Sequence, residues 1–244
     1  MNETINSIFA SGKVQTVEGK TIPLHSNIDA SEGKLLFDLI RGDTRVKKTL
    51  EVGCAYGLSS LHICEALRDR KDSSHTIVDP LQKTQWQGIG IHNLRQAGFS
   101  NFELIEEKSE FALPHILGQG EACFDLVFID GWHTFDHTLL DCFYGTRLLA
   151  VGGYLVVDDA QFPSIRKAID YLLNYPCYDF VTATSRRRSF RRQLLRLGFS
   201  LVPRKLKRGL LSGRFSARLK NQTMVALKKI AVDDRDWDWH NDNF

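Results

Sequence analysis

The sequence predicts an α/β protein built on a doubly wound, mostly parallel sheet with helices on both faces. Three observations predict it. A short apolar run, Leu50 to Val52, breaks at Gly53 and resumes after Gly57 at helical spacing in Leu58, Leu61, Ile63 and Leu67. Other apolar runs end in acids, at Asp79, at Asp130 and at Asp158-Asp159. Stretches of helical period separate these runs, and strand alternating with helix implies a parallel sheet whose ligands bind at the carboxyl ends of the strands. All of these acids stand at such ends.

In chain order, residues up to about 30 have weak periodicity and are expected to pack as a cap over the core. From Ser31, the spacing of Glu32, Leu35, Leu36, Leu39 and Ile40 predicts a helix feeding the first strand. The glycine turn and its helix follow, then a second strand from His75 to Asp79, and a helix from Trp86 to Ala97 stopped by Gly98. Phe102 to Ile105 reads as a third strand. Ser109 is expected to N-cap a helix from Glu110 to Leu117, which Pro114 should bend or shorten. Phe124 to Asp130 is a strand, Asp136 to Leu149 a helix, and Gly152-Gly153 turns the chain into the strand Tyr154 to Asp159. A helix near Ser164 to Leu173, a strand near Tyr178 to Thr184 and a last strand from Thr223 to Ile230 complete the pattern. The expected organisation is one domain over 1–244. Its cap spans about 1–45, its core about 46–184 and 223–231, a basic insertion about 185–222, and an acidic tail 232–244.

Composition bounds the function classes. At 244 residues and 43% hydrophobic, the chain can bury one sizeable core. No apolar run approaches the roughly 20 residues of a spanning helix. The five cysteines are scattered without metal-type spacing. These features predict a soluble cytoplasmic protein with reduced thiols.

The glycine turn carries the first chemical signal. Small residues let backbone N–H groups approach a ligand, and the open helix end adds partial positive charge. Dinucleotide sites need glycines at the first, third and sixth positions, whereas Gly53 and Gly57 are separated by three residues with no third glycine. Glu51, two residues before Gly53, would face a cation or donor hydroxyls rather than a pyrophosphate. Asp79, about twenty positions beyond the turn, suits ribose hydroxyls.

The order of Glu51 and Gly53, Asp79, Ser109, Asp130-Gly-Trp-His133 and Asp158-Asp159 resembles the class I S-adenosylmethionine (SAM)-dependent methyltransferases. Within them it is similar to the metal-dependent O-methyltransferases of the catechol type and their bacterial sugar-methylating relatives. The resemblance implies a seven-stranded Rossmann-like methyltransferase fold. It also implies that Glu51, Gly53, Gly57, Ser59 and Asp79 hold the methionine and ribose parts of SAM, with Ile28 covering it. Ser109 and Glu110 would sit by the adenine, with Trp132 against its face, and Asp130 on the cofactor side. Asp130, Asp158 and Asp159 would hold Mg²⁺ or Mn²⁺, and His133, beside Asp130, would collect the proton of the substrate hydroxyl. The catechol enzymes carry Asp-Asn in place of Asp158-Asp159 and lysine in place of His133, so the paired acid looks more like the sugar-methylating relatives. Two other readings compete. One is a metal-independent N- or O-methyltransferase. The other is a non-catalytic protein of this fold that contacts membrane or nucleic acid.

Residues 186–220 hold thirteen Lys and Arg and no acid, so the remaining chain has 19 basic against 29 acidic residues beneath a net charge of +3. Interleaved leucines suggest short amphipathic helices, and the expected partner is an anionic surface, peripheral membrane included. Besides this, a small-molecule substrate, anionic or sugar-bearing, is expected, a homodimer stays open, and no stacking module argues for specific nucleic-acid recognition. Binding to anionic vesicles should weaken steeply with added salt. Replacing Arg186, Arg187, Arg188, Arg191 and Arg192 by Gln should reduce it without changing cofactor affinity, as a vesicle co-sedimentation series would register.

Overall fold

The computed structural model describes residues 2–185 and 221–240. The basic stretch 186–220, and with it most of the expected insertion, lies outside the described residues. Helix α1 (Glu3–Ser11) and the hairpin β1 (Lys13–Gln15) and β2 (Thr21–Pro23) give the cap an order its periodicity does not announce. Then come α2 (Ala30–Gly42), β3 (Lys48–Val52), α3 (Leu58–Leu67), β4 (Ser74–Val78), α4 (Ile89–Gln96), β5 (Phe102–Ile105), α5 (Ser109–Gln119) and β6 (Phe124–Ile129). The remainder is α6 (Phe135–Leu148), β7 (Leu149–Val157), α7 (Pro163–Leu172), β8 (Tyr178–Ala183) and β9 (Val225–Lys229).

Seven strands form one sheet in the order β5-β4-β3-β6-β7-β9-β8. The first five are parallel, and β9 runs antiparallel between β7 and β8. The order reverses between β3 and β6, which makes their carboxyl ends the switch point where doubly wound sheets bind ligands. Two apolar clusters lie on the sheet. One gathers Leu36, Leu61, Ile63, Ile77 and Phe128, the other Leu50, Val127, Leu155, Ile169 and Leu227. The sheet is thus covered on both faces, as parallel strands require.

Three local details differ from the sequence expectation. Lys108 is the N-cap of α5 and makes no side-chain cap bond, so Ser109 is the first helical residue rather than the cap. The helix runs through Pro114 to Gln119, at the cost of the one backbone bond that Pro114 has no N–H to make. The helix expected from Trp86 begins only at Ile89, because Gly88 takes a left-handed conformation before it, and Trp86 instead packs its ring on Tyr56 and His25.

Helix α2 is fixed at its start by a capping box. Asp29 Oδ1 accepts from the Ser31 and Glu32 N–H groups, and Glu32 Oε2 accepts from the Asp29 N–H at 2.6 Å. Its contact with α3 is close because Gly33 has no side chain. A β-carbon there would lie 2.4 Å from the ring of His62, which is buried and bonded through Nδ1 to the Leu58 carbonyl. Gly33→Ala should therefore destabilise the protein by about 1–3 kcal/mol, the usual range for overpacking. Urea denaturation would measure it.

Candidate functional site at the carboxyl edge of the sheet

The loop after β3 is built for close backbone approach. Gly53 and Gly57 have φ of 88° and 80°, and Ala55 between them is also left-handed. A β-carbon on Gly53 would stand 2.0 Å from the Asp130 carbonyl oxygen, and one on Gly57 would stand 2.8 Å from the Gly90 carbonyl oxygen. No side chain caps the N-terminus of α3, and Ser59 lies buried in its first turn. That helix end faces the loop with its partial positive charge free for an anionic group.

Asp79 holds this loop in shape. Its Oδ2 accepts from the N–H groups of Cys54 and Ala55 at 3.1 and 3.0 Å and from Gln82 Nε2 at 3.0 Å, while Oδ1 accepts from the Leu81 N–H at 2.8 Å. The Oδ1 atom keeps acceptor capacity for a further donor. Glu51 is wholly buried. Its Oε2 accepts from Ser60 Oγ and pairs with His75 Nε2 at 3.0 Å, but Oε1 has no partner. A buried orphan acceptor beside a glycine turn suits a ligand bearing ammonium or hydroxyl donors, since leaving it unpaired costs about 1–3 kcal/mol. Ile28, from the cap, belongs to the apolar cluster on this side. Trp132, in the loop after β6, is 62% exposed.

The second feature is an acidic cluster at the ends of β6 and β7, which are neighbours in the sheet. Asp130, His133 and Asp159 each offer an atom to one small volume, all within 4.8 Å of one another. His133 Nε2 lies 3.2 Å from Asp130 Oδ1 and 3.3 Å from Asp159 Oδ2. Asp159 reaches this point by leaving the strand in a left-handed conformation, φ 54°, and Gln161 Nε2 holds its Oδ1. Relative to the expected set, His133 joins this group and Asp158 does not. Asp158 stays buried against the sheet, its Oδ1 without a partner.

Glu32 is a further acid of the same edge. The sequence marks it only as one residue of the helical run from Ser31, yet the fold turns it inward beside Asp159 and the Thr223 hydroxyl. Desolvation, followed by the neighbouring acids, pushes the carboxyls of Asp130 and Asp158 up, and desolvation likewise raises Glu32. Asp141 on α6 is another. It is fully buried with neither carboxylate oxygen hydrogen-bonded, and burial lifts it to about 6. Both were hidden in the sequence, Glu32 by its place in the helical run from Ser31 and Asp141 by its place among the polar positions of an amphipathic helix.

Comparison with known proteins gives the chain's likeness. A family model described as a methyltransferase domain matches residues 50–160, the stretch holding the glycine turn and every acid from Glu51 to Asp159. Over residues 50–160 the chain is thus similar to methyltransferase domains. The chain as a whole has the fold of the class I SAM-dependent methyltransferases and resembles O-methyltransferases among them. An O-methyltransferase from Bacillus cereus, solved in complex with SAH, is 15% identical at a TM-score of 0.64, covering 94% of this chain and 92% of its own. TomG from Streptomyces achromogenes, an O-methyltransferase involved in tomaymycin synthesis and solved with SAM, is 20% identical at 0.59, covering 84% and 82%. The SAH-bound methyltransferase PaMTH1 of Podospora anserina is 20% identical at 0.53, covering 64% and 74%. No match is found among curated protein sequences.

The raised carboxyls of this edge give a pH signature. A carboxyl raised by folding favours its protonated form in the folded state. It therefore lowers stability as pH climbs from the ordinary carboxyl range, about 3.9, toward the folded value. In a chelator, Asp158→Asn should stabilise the protein at pH 7.5, with the gain shrinking toward pH 4. Urea denaturation at the two pH values would register this, and a pH-independent gain would contradict it.

Proposed function

We propose that the chain is a SAM-dependent O-methyltransferase that uses a divalent cation to transfer a methyl group to a hydroxyl of a small molecule or sugar. The observation that carries the metal part is the gathering of Asp130, His133 and Asp159 on one point, with the unpartnered carboxylate of Asp158 beside them. Like charges this close, short of solvent, are stabilised by a cation. The donors are two carboxylates and an imidazole, a set that fits Mn²⁺ or Mg²⁺ with water or substrate completing the shell. Such an ion supplies Lewis acidity, which lowers the pKa of a bound hydroxyl.

The chain's own residues do the rest. The glycine loop and the α3 N-terminus bind the methionine carboxylate, Glu51 Oε1 accepts from its ammonium, and Asp79 Oδ1 accepts from ribose. Ser59 and Gly57 lie in that first turn, Ile28 closes over it, and Ser109, Glu110 and Trp132 frame the base. Because Gly53 touches the Asp130 backbone, the methyl donor and the acceptor hydroxyl are held by adjoining loops, and positioning alone can be worth about 7–11 kcal/mol in favourable models. A second role for His133 is supported by its exposure, 45% of the side chain, and by its ring lying 6.1 Å from that of the half-exposed Phe162. There it meets substrate and can take the hydroxyl proton.

Isothermal titration should detect SAM binding that Gly53→Arg abolishes. Chelation should abolish methyl transfer, and Asp159→Ala should lose Mn²⁺ while keeping SAM. His133→Ala separates its two roles: loss of Mn²⁺ affinity makes it a ligand, whereas retained metal with a slow turnover that recovers at high pH makes it the base. Full activity in chelator would remove the metal from the reaction, and no SAM binding by folded protein would remove the whole reading.

A further inference from the structure

His75 is a buried imidazole that the chemistry above does not use. It stands on β4 directly across from Thr49 on β3, and the parallel register puts Thr49, Glu51 and His75 on one face of the sheet. All three are fully buried. His75 Nε2 lies 3.0 Å from Glu51 Oε2, and Nδ1 lies 2.9 Å from Thr49 Oγ1, which is also 3.4 Å from the Ser74 carbonyl. An ionised carboxylate only accepts, so the ring nitrogen that meets Glu51 carries a proton. A hydroxyl both donates and accepts, so Thr49 holds the far nitrogen and with it the plane of the ring.

The donors on Glu51 are unevenly shared. Ser60 Oγ also donates to Oε2, and Cys54 Sγ, in the glycine turn itself, lies 3.5 Å from that hydroxyl. Oε2 thus receives donors from two elements, α3 and β4, while Oε1 has none among the described residues. Buried polar atoms are ordinarily paired, and a carboxylate bonded for stability alone is better served by one donor on each oxygen. Two donors on one oxygen resist rotation of the group toward either of them. The other oxygen is thereby kept for a donor that arrives from outside.

We propose that His75 is a positioning residue for the amino acid end of the methyl donor: with Thr49 behind it and Ser60 beside it, it occupies Glu51 Oε2, so that Oε1 alone meets the ligand's ammonium. This rests on the SAM reading above and adds to it a residue outside the glycine turn. It also adds a selectivity, for ligands that carry a free amino group over those that lack one. Without the imidazole the carboxylate keeps a single anchor on Ser60, and its free oxygen is no longer held toward the ligand.

The test compares S-adenosylhomocysteine with its desamino analogue, in which hydrogen replaces the α-amino group, by titration calorimetry. The wild type should prefer the amino compound about ten- to a hundredfold, the worth of a hydrogen bond to a charged group. In His75→Leu the preference should fall to about threefold or less, through weaker binding of the amino compound with the desamino compound little changed. His75→Gln, which returns a side-chain N–H donor, should recover most of it. Thr49→Val, nearly the same in shape, should lower the preference in the same direction, and carries the comparison if the His75 variants do not fold. A purely structural role would weaken both compounds together. That result, no preference in the wild type, an unchanged ratio in folded His75→Leu, or a His75→Gln ratio as low as that of His75→Leu would overturn the inference while leaving SAM binding intact. Binding of neither compound to folded wild type would overturn the SAM reading itself, and this inference with it.

Discussion

The backbone contact between Gly53 and Asp130 is the constraint on which the rest of the site depends. With 2.0 Å between a hypothetical β-carbon and the Asp130 carbonyl oxygen, only glycine lets the loop after β3 lie on the loop after β6. Adjacent parallel strands bring the two ends near, but they do not by themselves press the loops together. Any side chain at 53 would separate the glycine turn from the acids that follow β6, and proximity would be lost before any chemical group was altered.

The same edge sets stability against function. Asp130, Asp158 and Glu32 are held where desolvation and mutual repulsion raise their carboxyls, and Glu51 and Asp158 each leave an oxygen unpartnered. A core optimised for stability alone would not assemble these groups, because buried polar atoms are ordinarily paired. Asp79 is the counterexample within the site. Its four N–H contacts make it part of the scaffold, so on the proposed reading loop geometry and ribose recognition would share one side chain.

The sheet was legible because alternating apolar runs and helical periods are local, repeated signals. The strand-end acids were legible for the same reason. What could not be read was orientation. Asp158 and Asp159 are consecutive, and only the left-handed turn at Asp159 sends one to His133 and leaves the other against the sheet. Glu32 satisfies a capping box in any fold, so its approach to Asp159 is a tertiary fact. Ser109 looked like a cap because serine is common there, and Lys108 takes the place without a side-chain bond. The cap's α1 and hairpin left no periodic trace long enough to register.

Strand β9 enters the sheet between β7 and β8, antiparallel to both. Just before it, the Thr223 carbonyl accepts from the Ala160 N–H and the Thr223 hydroxyl stands beside Glu32. The acidic edge is therefore closed by a segment that leaves the ribosome long after every acid it completes. During synthesis, Asp130, Asp158 and Asp159 exist for some time without that closure, and β8 has no neighbour through which to join the sheet. Domains generally condense as units once their chain is available. Here the order of emergence ties the finishing of the site to the finishing of the sheet, so a nascent chain that has made its glycine turn is not yet an assembled active edge.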